Sequence, residues 1–130
     1  MLVFSYGVPK SGSTLAFQIA RAAAMVSGHG QRLLPSPLRT PGHKVNFQQH
    51  LDPELLLRVA ALVGRRILVI KTHDAPGPDW VAAYRDLAAR GQAAAIVNHR
   101  DPRDICLSLC DAGRAARAAG ETAFAEFVTL

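Results

Sequence analysis

Apolar and polar positions along the chain fall into short alternating blocks. Leu2–Tyr6 is apolar and partly β-branched or aromatic, a composition that predicts a strand buried on both faces. Gly7, Pro9, Lys10, Ser11 and Gly12 follow as a loop. They lead into Leu15–Val26, which is alanine-rich and apolar nearly all round, and so predicts a buried helix stopped by Gly28 and Gly30. Arg32–His50 carries Pro35, Pro37, Pro41 and Gly42, which exclude a long helix and predict a loop, either a plain linker or part of a binding site. Asp52-Pro53-Glu54 supplies an N-cap, a first-turn proline and an acidic first turn for a helix over Leu55–Val63, closed by Gly64.

Ile67–Ile70 predicts a second buried strand, whose carboxyl end gathers Lys71, Thr72, His73 and Asp74. Asp79 is expected to cap a helix with Trp80, Val81, Tyr84, Leu87 and Ala88 on one face and Gly91 at its end. Ala93–Val97 predicts a third strand, which finishes in Asn98-His99-Arg100-Asp101-Pro102-Arg103-Asp104. There Asp101 is the expected N-cap and Pro102 the first residue of a helix running to about Ala118. Gly120 interrupts it, and Glu121–Leu130 starts another amphipathic segment.

Strands alternating with helices predict an α/β fold, a three-layer αβα arrangement with a parallel sheet and a P-loop-like strand-loop-helix. Ligands of such sheets bind beyond the carboxyl ends of the strands. The Gly7–Thr14 loop, Lys71–His73 and Asn98–Asp104 are therefore expected on one rim.

At 130 residues with 49% apolar content, the chain fits one domain over residues 1–130. A net charge of +5 and a pI near 9.9 favour an anionic partner. The basic residues are scattered, however, with neither a basic run nor interleaved aromatics, so a small polyanion is expected rather than nucleic acid. Leu15–Val26 is too short to span a bilayer and contains Gln18 and Arg21, and no basic region precedes an apolar one, so a cytoplasmic protein without a membrane partner is expected. Cys106 and Cys110 are four apart on a helix face shared with Ile105, Leu109 and Gly113, the pattern of core thiols rather than of a disulfide framework. A metal site built from them and His99 lacks a recognised ligand spacing, so none is expected.

Glycines at a helix N-terminus let backbone N–H groups curl around an anion at the positive end of the helix dipole. Gly7 and Gly12 have the spacing of the two glycines in G-x-x-x-x-G-K-[ST], yet Ser13 occupies the lysine slot and the loop's lysine is Lys10. A shifted lysine, with no strand-ending aspartate to organise magnesium, argues against a small P-loop kinase.

Pro9-Lys10-Ser11-Gly12-Ser13-Thr14 resembles the 5′-phosphosulfate loop of the sulfotransferases, usually Pro-Lys-Ser-Gly-Thr-Thr. Lys71-Thr72-His73 resembles the Lys-Thr-His of the cytosolic members, although Asp74-Ala75-Pro76 replaces the Leu-Pro that follows it there. Arg100-Asp101-Pro102-Arg103-Asp104, with Ser108 eight residues after the first arginine, is similar to the family's 3′-phosphate motif, Arg-Asn-Pro-Arg-Asp. The resemblance implies sulfuryl transfer from 3′-phosphoadenosine 5′-phosphosulfate (PAPS) to a hydroxyl or amine of a small-molecule acceptor, without a metal. It implies that His73 takes the acceptor's proton and that Lys10 and Lys71 offset charge developing on the leaving oxygen. Lys10, Ser11, Gly12, Ser13 and Thr14 would hold the donor's 5′ end, and Arg100 and Ser108 its 3′-phosphate. Surface charge for Lys71, and capping and ion pairing for Arg103 and Asp104, are the plainer readings of those residues. The family's later Arg-Lys-Gly-x-x-Gly element has no counterpart, from which a domain incomplete at its carboxyl end is expected. The alternative is a non-catalytic or truncated nucleotide-binding module.

Overall fold

The computed structural model describes residues 1–128, in which four helices alternate with strands of one parallel sheet. In chain order the elements are β1 (Leu2–Gly7), α1 (Ser13–Val26), β2 (Phe47–Gln48), α2 (Pro53–Val63), β3 (Leu68–Thr72), α3 (Pro78–Ala89), β4 (Ala93–Asn98) and α4 (Pro102–Ala119). The sheet order is β2-β3-β1-β4, and every pairing is parallel. This is the α/β, three-layer αβα arrangement expected from the alternation.

β1 lies between β3 and β4, so alternate β1 side chains enter two different apolar layers. Leu2 and Phe4 join Ile70, Leu56, Val59, Trp80 and Leu87 beneath α2 and α3. Val3 packs with Val69 against Phe17 and Ala24 of α1 on the other face. Phe4 meets the edge of the Trp80 ring at 5.0 Å, and Trp80 stacks on Tyr84 at 5.2 Å, a cluster that anchors α3 to the sheet.

Helix ends follow their local chemistry. The Asp52 carboxylate accepts the Leu55 N–H at 2.8 Å, and the Asp101 carboxylate accepts the Arg103 N–H at 2.9 Å, as both Asp-Pro pairs predict. Asp79 is not a cap. Pro78 suits the first helical position, so the cap falls on Gly77 and Asp79 lies in the first turn.

Three further expectations are corrected. The helix α1 is not buried all round: Phe17 and Ala24 are covered, but Leu15, Ile19 and Val26 are exposed because no described element lies over that side. Within the loop from residue 32 to 50, Phe47–Gln48 forms the short strand β2 on the edge of β3, and buried Asn46 and Gln48 bond to the backbone of the loop. Cys110 is buried but Cys106 is exposed, so they do not share a core face. In the expected amphipathic segment Glu121–Leu130, residues 123–126 form turns, and the last two residues lie outside the described ones. The turn residues pack across α4 at Gly113, where an added Cβ would lie 1.9 Å from the Phe127 carbonyl oxygen.

No helix among the described residues is long and apolar enough to cross a membrane.

Candidate functional site

The loop between β1 and α1 begins at a position only glycine fits. A Cβ on Gly7 would lie 2.7 Å from Ser11 Oγ and 3.0 Å from the Cβ atoms of both Asn98 and Ser13. The backbone then takes left-handed conformations at Lys10 (φ 66°) and Gly12 (φ 88°). Gly12 caps α1 without a side-chain bond, and no acidic residue occupies the first turn. The helix thus presents first-turn N–H groups and the positive end of its dipole, with no carboxylate competing for them. Ser11 is buried, and its hydroxyl has no hydrogen-bond partner among the described residues, an unmet demand that a ligand oxygen can satisfy.

β3 lies beside β1, which places its carboxyl end against this loop. Lys71 Nζ donates to Thr14 Oγ1 at 2.8 Å, and burial pushes its pKa below the ordinary lysine value. The His73 ring lies with Nδ1 2.5 Å from the Gly7 carbonyl oxygen. A carbonyl oxygen only accepts, so Nδ1 carries the proton and Nε2 keeps its lone pair. Burial is the main cause holding the His73 pKa below its ordinary value; the Gly7 bond opposes this and the Lys71 charge adds to it. At neutral pH the imidazole is consequently uncharged, the state a general base requires.

β4 flanks β1 on the other side and brings the third cluster. Arg100 donates from Nη1 to the Lys10 carbonyl at 3.4 Å and from Nε to the Asp104 carboxylate at 3.4 Å. Its guanidinium is about half exposed, so most of its donors remain open to solvent or a ligand. Arg103 instead closes on Asp101, with Nη2 2.7 Å from Oδ2, which lowers the Asp101 pKa. Arg103, Asp101 and Asp104 therefore serve the helix start and its ion pairs.

Two expected ligands are less directly joined to the rim. Lys10 Nζ lies 5.0 Å from the centre of the Phe124 ring, toward the terminal turns rather than toward Ser11 and Gly12. Ser108 is half-buried on α4 and makes no hydrogen bond to the other named residues. The structure thus brings Gly7–Thr14, Lys71, His73 and Arg100 together, with Ser108 on the same helix as the Arg100 cluster.

Two contributors carry no role in the sequence reading. Phe47 of β2 packs 5.5 Å from the His73 ring and is itself met by His43 at 4.4 Å, so the long loop forms a wall of the site. Its only sequence signal was an aromatic residue in a proline-rich stretch. Asn98 ends β4 opposite Gly7, and its buried Oδ1 has no hydrogen-bond partner among the described residues. A polar residue ending an apolar strand at the expected rim was the available signal.

No protein-family model, curated protein or solved structure matches the chain. The functional reading therefore rests on the motifs and the geometry of this rim.

Proposed function

We propose that the chain is a sulfotransferase domain that binds PAPS as donor at the β1–α1 loop. The observation that carries the reading is the meeting of three separately encoded motifs: His73 on the Gly7 carbonyl, Lys71 on Thr14, and Arg100 on the Lys10 carbonyl. An oxyanion at the α1 N-terminus would be met by first-turn N–H groups and by the Ser11, Ser13 and Thr14 side chains, and the unpaired Ser11 hydroxyl fits such a guest. Arg100 would hold the 3′-phosphate with its free donors, and Ser108 would contribute from the same helix.

Transfer then needs little covalent work from the protein. His73 Nε2 accepts the proton of the acceptor hydroxyl or amine while that oxygen or nitrogen bonds to sulfur. The bond between sulfur and the bridging oxygen breaks, its electron pair stays on that oxygen, and 3′-phosphoadenosine 5′-phosphate leaves. Lys71, already at Thr14, offsets the negative charge developing on the leaving group. No metal enters this sequence of events.

One observation favours a second reading, a module that binds the nucleotide without turning it over: Lys10, the loop's own cation, is engaged with Phe124. Calorimetric titration with 3′-phosphoadenosine 5′-phosphate, beside ATP with magnesium and beside adenosine 5′-phosphosulfate, tests the donor site. Arg100→Ala is expected to weaken the first about tenfold or more, the worth of a charge-assisted bond, and to leave adenosine 5′-phosphosulfate nearly unaffected. No binding of the 3′-phosphorylated nucleotide by the folded chain would overturn both readings. Binding with no sulfuryl transfer across an acceptor panel would select the second.

A further inference from the structure

A cavity of about 350 Å³ lies between the sheet and α3, on the face away from α1. The strand register builds its floor: Phe4 pairs with Ala95, and Tyr6 lies between Thr72 and Val97, all on one face. Trp80 and Tyr84 of α3 form the opposite wall. Tyr6, Thr72 and Val97 each precede a residue of the rim, so the cavity runs beneath the candidate site, sharing Thr72 of the Lys71–His73 cluster but no residue given a catalytic or donor-binding role.

Its volume falls within the range of small-molecule sites, and its lining is mainly aromatic and aliphatic. The polar contribution is lopsided. Arg85 lines the cavity from the exposed side of α3 and makes no ion pair among the described residues, while no acidic side chain lines it. An apolar chamber with one cation at its mouth has charge complementarity for a molecule with an apolar body and a single anionic head.

We propose that this cavity is a second ligand site for an amphiphilic anion of the medium-chain carboxylate kind. The hydrocarbon tail lies between Phe4, Val97 and the Trp80–Tyr84 pair, and the carboxylate meets Arg85 at the mouth. The site does not depend on the sulfuryl-transfer reading and does not overlap the residues of the donor loop.

The chain has one tryptophan, Trp80, so its fluorescence reports on the cavity directly. Titration with octanoate and with octanol separates the two parts of the idea. An apolar cavity alone favours octanol, because a carboxylate gives up more hydration on entering it. With Arg85 at the mouth, octanoate is expected to bind saturably and about three- to tenfold more tightly than octanol, the strength of a partly exposed ion pair or charged hydrogen bond. Arg85→Gln is expected to reverse that preference, and Ala95→Phe to abolish binding of both with an unchanged circular dichroism spectrum. Saturating 3′-phosphoadenosine 5′-phosphate should leave octanoate binding in place. The proposal is overturned by a response that does not saturate, by octanol binding as well as octanoate in the unaltered chain, or by Arg85→Gln having no effect. It is equally overturned if octanoate binding weakens as the protein is concentrated and sediments as a dimer, which would give the cavity to a second copy of the chain.

Discussion

Replacing Gly7 by alanine puts one methyl group into the most crowded point of the candidate site. The new carbon would lie 3.0 Å from the Cβ atoms of Ser13 and Asn98, and 2.7 Å from Ser11 Oγ. Carbon pairs are most comfortable at roughly 3.5–4.0 Å, so both neighbours must retreat by about half an ångström. Ser11 can turn its hydroxyl aside, but Ser13 begins α1 and Asn98 ends β4, so their Cβ atoms move only with the backbone. Overpacking of this kind costs about 1–3 kcal/mol. With a urea slope of roughly 2 kcal/mol per molar, a loss of about 2 kcal/mol lowers the unfolding midpoint by about 1 M, read from Trp80 fluorescence. Gly30→Ala is the comparison, because nothing lies within 4 Å of that position and its φ is not positive. It should leave the midpoint unchanged or raise it slightly by restricting the unfolded chain. The same Gly7→Ala protein should bind 3′-phosphoadenosine 5′-phosphate at least tenfold more weakly, since Ser11 and Ser13 are displaced together. A Gly7→Ala midpoint equal to that of Gly30→Ala would refute the steric argument, and with it the close approach of β4 to the loop.

The lowered His73 pKa has a definite sign in stability. As pH falls below the ordinary value near 6.5, the unfolded chain takes up this proton before the folded one does, so stability declines until the folded pKa is passed. His73→Gln should flatten that part of a urea-midpoint profile, and an unchanged profile would show that His73 does not titrate out of line. Lys71→Met removes the donor to Thr14 and a cation from the loop, and about tenfold weaker nucleotide binding by calorimetry is expected; unaltered affinity would assign Lys71 to surface charge. Gly113→Val drives a side chain into the Phe127 carbonyl and should free the terminal turns from α4. Chymotrypsin should then cleave at Phe124 and Phe127 several-fold faster, and equal cleavage rates would count against that packing.

What could be read from residue order alone was whatever local chemistry decides. The Asp-Pro pairs at Asp52 and Asp101 bring their own cap and first-turn geometry, and both helices start where those residues place them. β1, β3 and β4 were legible as apolar runs of strand length. β2 was not, because two residues carry no periodicity and Phe47 owes its strand to the β3 edge it meets. The apolar stripe of α1 was misread for a related reason: Leu15, Ile19 and Val26 signal that a surface is hydrophobic, and composition cannot say whether an element covers it. The amphipathic segment after Gly120 runs into turns, with Phe124 at φ 66° where a helix would break. At the site, the rim rule predicted which clusters meet, whereas the His73 tautomer and the turn of Lys10 toward Phe124 depend on distances no residue order contains.

The place of β1 in the sheet also governs how the chain comes into being. Its ladder partners start at Leu68 and Ala93, so β1, which precedes both, is paired on its two edges only when β4 has been added. During synthesis at about 5–20 residues per second, Leu2 and Phe4 wait roughly 5–20 s before Asn98 has been added. Even the edge pairing of β2 requires β3. Until β3 has been added these residues have no sheet to build on, and α1 and α2 must hold as isolated amphipathic pieces in the meantime. Slowing synthesis ahead of β3 prolongs that interval without offering any partial sheet in return, so yield of soluble protein should depend more on chaperone supply than on translation speed over that stretch.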